Sequence, residues 1–103
     1  MNPAKTPKPP YYAVIFTSIR TPSDDGYSDM SQRMVELASK QKGFLGLETV
    51  RNELGITVSY WDSLESISAW KENLFHKEAQ NRAKDWYQTF RVRVCLVEKE
   101  YGF

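Results

Sequence analysis

Two segments of this chain are apolar on both faces of an extended backbone: residues 11–19, YYAVIFTSI, and the far half of residues 90–97, FRVRVCLV. A strand that meets water on one side needs only alternating apolar and polar residues, so these two belong where both faces are covered. Their β-branched and aromatic side chains suit a pleated surface, and the first reads as a central strand. The second begins with strict alternation and is expected to be buried on both faces only toward its end.

The residues between them fill in the order of elements. Residues 20–25 contain Pro22 and polar side chains and read as a loop. Tyr27, Met30, Met34, Leu37 and Ala38 then recur with one-sided helical spacing, which predicts a helix that stops before Gly43. Residues 44–51 and 56–61 are short β-prone runs separated by Asn52-Glu53-Leu54-Gly55, a spacing that suits an antiparallel hairpin. Asp62 followed by Glu65 has the form of a capping box, ahead of Leu64, Ile67, Trp70 and Leu74 at helical spacing. A second helical section follows from about residue 76 to 86. The order is β-α-β-β-α-β, which with right-handed crossovers gives an α+β, ferredoxin-like, four-stranded antiparallel sheet carrying both helices on one face. The other face then needs a cover, and a second copy of the chain, making a homodimer, is the expected one.

At 103 residues the chain holds one domain, expected over residues 11–103. Ahead of it, MNPAKTPKPP carries four of the five prolines and reads as a flexible arm over residues 1–10. A net charge of +1 provides no basic footprint for nucleic acid or an anionic membrane. The longest run of hydrophobic residues covers only 11–16, far below the roughly 18 needed to cross a bilayer, and a cytoplasmic protein is expected. One cysteine, Cys95, and one histidine, His76, supply neither an internal disulfide nor a histidine-rich metal site, so no metal is expected, and with no P-loop and no GxGxxG a nucleotide or dinucleotide cofactor has no starting point either. An RNA-binding module shares this element order. It would need stacking aromatics and a basic residue on the third strand, where LGITVSY stands instead.

The second half of the chain carries the more specific pattern. A strand ends in Ser59-Tyr60-Trp61; a helix carries Ser66, Ala69 and Trp70; His76, Ala79 and Gln80 follow; then come the Trp86-Tyr87 pair and a last strand ending Val97-Glu98. With Gly43-Phe44 and Gly46-Leu47 before the hairpin, this resembles the antibiotic biosynthesis monooxygenase domain family from about residue 12 to 103. The resemblance implies a dimeric α/β barrel. Some members of that family are cofactor-independent oxygenases of aromatic polyketides, others bind and degrade haem, and the same small barrel can host many activities or none. The haem-degrading members use an Asn on the first strand, a Trp on the second helix and a His beyond it. Trp70 matches that Trp, but Gln80 stands ten residues later and the first strand has no Asn, so the oxygenase branch is the better match.

His76 and Tyr87 are accordingly the candidates for proton transfer. Trp61, Trp70, Trp86, Gln80 and Arg82 are the candidates for holding a small aromatic or apolar ligand. Trp70 shares a helical stripe with Ile67 and Leu74 and is expected to serve packing first. Trp61, Trp86 and Tyr87 suit either a flat substrate or a contact between copies, and the sequence leaves both open. The resulting expectation is a small cofactor-independent monooxygenase-like protein, with a non-catalytic dimeric ligand-binding barrel as the alternative.

Overall fold

The computed structural model describes residues 1–103 except for the side chains at positions 74–76, so His76 lies outside the described side chains. The elements run β1 (Tyr11–Arg20), α1 (Tyr27–Ala38), β2 (Phe44–Arg51), β3 (Gly55–Trp61), α2 (Leu64–Lys71), α3 (Leu74–Asn81), α4 (Ala83–Trp86) and β4 (Tyr87–Val97). The strands form one sheet in the order β2-β3-β1-β4. Every neighbouring pair is antiparallel. This is the ferredoxin-like α+β arrangement, with the doubly apolar β1 inside the sheet. The β4 strand forms an edge.

The helical boundaries agree with the periodicity at α1, which spans the apolar stripe from Tyr27 to Ala38, and depart from it in the later helices. α1 stops at Ala38, where side chains take the carbonyls that the helix leaves unpaired. Ser39 Oγ donates to the Glu36 carbonyl at 2.7 Å, and Gln41 Nε2 to that of Leu37 at 3.1 Å. The cap of α2 is Ser63, not Asp62: Ser63 Oγ accepts from the Ser66 N–H at 3.1 Å, while Asp62 accepts from the Ser66 hydroxyl. The single helical section expected before β4 is broken at Arg82, whose φ of −100° and ψ of 4° leave the helical range. There its guanidinium turns onto the ring of Trp86, 4.8 Å from the centroid, and toward Asp25.

Register fixes which side chains share a face, because directly opposite residues project to the same side of a sheet. Tyr12, Val14, Phe16 and Ser18 of β1 stand opposite Trp61, Ser59, Thr57 and Gly55 of β3, and opposite Leu96, Val94, Val92 and Phe90 of β4. This is the helix side. Its core joins Ala38, Trp61 and Trp70 with Val14, Met34, Leu37, Phe44 and Ile67, drawn from α1, α2 and the three strands β1–β3. The core contains no β4 residue. The far half of that strand, expected to be covered on both faces, is therefore half-exposed on the helix side within one chain, with Val94 at 50% and Leu96 at 49%.

The opposite face carries Tyr11, Ala13, Ile15, Val58 and Tyr60. One end of it is covered by the chain's own termini. Ala4 donates its backbone N–H to Glu48 Oε2 at 2.9 Å, and the Thr6 hydroxyl sits 2.8 Å from Tyr11 Oη and 3.0 Å from Glu100 Oε2. The proline-rich arm is thus held against the sheet at several points, and Tyr11 and Ala13 are buried.

Candidate functional site

Three aromatic groups divide the helix side. In the first, Trp61 stacks on Trp70 with ring centroids 6.5 Å apart and meets the edge of Phe44 at 5.4 Å. The Trp61 indole N–H is satisfied by Ser59 Oγ at 2.9 Å. Both tryptophans are buried, as a packing role requires. The second group surrounds Trp86, which is also buried and donates its indole N–H to the Asp25 carbonyl at 2.9 Å. Tyr27 of α1 approaches it edge-on at 5.9 Å, and Arg82 covers its other surroundings while paired with Asp25 and Asp85. Gln80 is exposed on α3.

The third group is accessible. Phe16 stacks on Phe90 at 5.6 Å and meets Tyr87 edge-on at 5.4 Å. From Phe90 the row continues along β4 through Val92, Val94 and Leu96, each close to half-exposed. Four large apolar side chains in a line form a shallow apolar groove only in the sense of a strip along the edge strand, with a ring platform at its head.

The head is polar and positively charged. Tyr87 donates its hydroxyl to Tyr27 Oη at 3.3 Å. Burial raises the Tyr87 pKa well above the ordinary tyrosine range, the Tyr27 hydrogen bond adds to this, and the Arg51 and Arg20 guanidiniums pull the other way without reversing it. At neutral pH this phenol is a hydrogen-bond donor rather than a base. The guanidinium of Arg20 lies over the Tyr27 ring, 3.3 Å from its centroid, and donates to the carbonyls of Trp86 and Ser23 at 2.9 and 2.6 Å. Arg51 reaches in from β2 and donates to Ser18 Oγ at 2.5 Å and the Ser18 carbonyl at 3.3 Å.

The structure thus brings Trp86, Tyr87 and Arg82 together, joins Trp61 to Trp70 in the core, and leaves Gln80 on the surface. Phe16, Tyr27, Phe90, Arg20 and Arg51 were missed by sequence reasoning. The signal for part of this was present: Phe90, Val92, Val94 and Leu96 alternate along one strand face. Arg51 and Arg20 gave none, because only the sheet register and the α1 entry bring them to the same place.

The opposite face holds two hollows between the arm and the sheet, of about 620 and 490 Å³. The larger is lined by Tyr11, Tyr60, Glu48 and Glu100 among others. Both are open to solvent, with residues from 1–6 on one side of each and Glu100, Tyr101 and Gly102 completing the larger. Among the described residues no three His, Cys, Asp or Glu side chains converge in a way that could hold a metal ion, and no helix is long and apolar enough to cross a membrane.

Known proteins resemble both the sequence and the fold. YqjZ of Bacillus subtilis, an uncharacterized protein, is 47% identical over 103 residues, covering 97% of this chain and 90% of its own. SnoaB of Streptomyces nogalater, a cofactor-independent oxygenase, superimposes with a TM-score of 0.76 at 7% identity, over 89% of this chain and 97% of its own. A Pseudomonas aeruginosa protein superimposes with a TM-score of 0.74 at 9% identity, over 91% and 98%. At such identities the structural likeness establishes the fold alone. The family model described as antibiotic biosynthesis monooxygenase matches residues 10–82, most of the chain, and with that match this protein belongs to the antibiotic biosynthesis monooxygenase family.

Proposed function

We propose that this protein binds a flat aromatic or apolar small molecule along the helix-side row of β4 and oxygenates it without a cofactor, as a homodimer. The observation carrying the reading is the row itself: Phe90, Val92, Val94 and Leu96 half-exposed in line, headed by the Phe16 ring. Membership of the monooxygenase family and the fold shared with SnoaB support the choice of chemistry.

The reaction asks little of the protein if the substrate itself supplies the electrons. A methylene flanked by aromatic rings loses a proton to a base, and the carbanion gives one electron to dioxygen. The two radicals combine to a peroxide anion, which takes the proton back from the base to give a hydroperoxide, and this loses water to leave a carbonyl. The protein's tasks are to orient the ring, hold the oxyanion of the deprotonated substrate and exclude bulk water. The Tyr27–Tyr87 hydroxyl pair suits the second task, because Tyr87 keeps its proton and Tyr27 has one to donate onward. His76 is the proposed base. Trp61, Trp70 and Trp86 are buried and serve packing on the helix side, Arg82 lies over the Trp86 ring, and Gln80 is exposed on α3.

An anthrone supplied in air tests the reading. Oxygen uptake matched by quinone formation, persisting in the presence of a chelator and reduced in Tyr87→Phe, is the expected result. Binding of the anthrone without uptake would instead favour a non-catalytic ligand-binding barrel. No binding at all would overturn the groove assignment.

A further inference from the structure

We infer that the Arg20 end of this groove recognises a carboxylate on its aromatic ligand, with Arg51 as the counter-charge and the Tyr27 hydroxyl as a second donor. The inference rests on the groove assignment above and narrows its ligand class.

Arg51 lies on the helix side because of the residue opposite it. Gly55 pairs with Arg51 across the β2–β3 hairpin, and a side chain at Gly55 would meet the Arg51 guanidinium atoms directly. With no side chain there, the guanidinium folds back over the sheet onto Ser18, which is 1% exposed. Ser18 in turn stands opposite Phe90, the first residue of the apolar row. A positive charge is thus fixed at the point where the ring platform ends.

That charge lacks an internal answer. Arg51 uses two N–H groups on Ser18, and among the described residues it has no carboxylate within ion-pair distance. The neighbouring cations are differently engaged. Arg82 is paired with Asp25 and Asp85 at 3.3 and 3.4 Å. Arg20 is held on two backbone carbonyls, with Asp24 at 4.0 Å as its only carboxylate among the described residues, on a side chain 74% exposed. The acidic groups of this end, Asp24, Asp25 and Asp85, therefore answer Arg20 and Arg82. A planar carboxylate on a ring seated over Phe16 and Phe90 would meet the free part of the Arg51 fork, the group best matched to it in geometry.

Intrinsic tryptophan fluorescence can follow titration with 1-hydroxy-2-naphthoate and with 1-hydroxy-2-naphthamide, which keeps the rings and loses the charge. The acid is expected to bind about tenfold tighter at low ionic strength, with the difference shrinking as salt is added. Arg51→Met should bring the acid to the amide's affinity. Gly55→Ala, which displaces the guanidinium without removing it, should do the same, so a folding defect in one variant leaves the other and the salt series to decide. Equal binding of acid and amide by the unaltered protein would overturn the charged end and leave the groove standing. If neither probe binds, the groove and this inference fall together.

Discussion

The Tyr60 hydroxyl donates to Glu48 Oε1 at 2.6 Å, joining the third strand to the second on the face away from the helices. The other oxygen of the same carboxylate accepts the Ala4 N–H, so one side chain ties a strand and the arm together. Burial and then this hydrogen bond and charge push Tyr60 up to about 12, from an ordinary value of 10.0. Since its pKa is raised on folding, its contribution to stability is complete below pH 10 and is lost as pH rises toward about 12. Alkaline titration of tyrosinate absorbance should show two late ionisations, those of Tyr60 and Tyr87, of which the earlier disappears in Tyr60→Phe and moves toward the ordinary range in Glu48→Gln. If the ionisation lost in Tyr60→Phe does not move in Glu48→Gln, the carboxylate does not act on Tyr60.

Ile15, Val58 and Val50 share the face away from the helices, and Val50 is 67% exposed. A homodimer closed over this face is the expected assembly, with an interface on the order of 1,600 Å² or more. Sedimentation at micromolar concentration should give a dimer. A folded monomer that does not associate would remove the homodimer from the proposed function.

Two glycines predict opposite outcomes for the same substitution. Gly43 has a φ of +89°, and a side chain there would collide with Ser66 and Asp62 at the start of α2. Gly43→Ala combines a left-handed backbone penalty with overpacking and should destabilise by about 2 to 5 kcal/mol. At Gly55 the colliding atoms are the far end of a flexible arginine. Gly55→Ala should therefore change stability by no more than about 1 kcal/mol while moving Arg51. Denaturant unfolding of both variants makes the comparison; equal losses would contradict it.

Trp70 is 9% exposed and stacked on Trp61. Trp70→Phe should lose about 1 to 3 kcal/mol and Trp70→Ala roughly 3 to 5. Unfolding must be followed at fixed protein concentration, because association contributes to apparent stability. If Trp70→Ala unfolds like the parent protein but loses ligand binding, Trp70 is a groove wall instead of a core residue.

The order and type of the strands were legible because alternation and double-sided apolarity are local, and β2 occupies the predicted residues 44–51. The helix ends were less so. α1 ends at Ala38 as its stripe predicts, but the cap of α2 falls on Ser63 instead of Asp62, and the break at Arg82 coincides with contacts to Asp25 and Trp86 rather than with a breaking residue. For the candidate site, Tyr87 and Trp86 could be named from their pattern, whereas Phe16, Tyr27 and Arg51 could not. Phe16 looked like one more apolar residue of a central strand. Its role as a ring platform exists only because Phe90 and the rest of the β4 row are left half-exposed, and that is a property of packing rather than of any window of sequence.

Thr6 and Glu100 are 94 positions apart along the chain and 3.0 Å apart in space. The polypeptide therefore nearly closes on itself, and a short flexible bridge from the tail to the arm would complete the ring without crossing the sheet. New ends could then be opened at the exposed Asn52-Glu53-Leu54 turn of the β2–β3 hairpin. Such a circular permutant would present β3 first and β2 last while retaining every pairing in the sheet, so the order in which the strands are synthesised is separable from the shape they make.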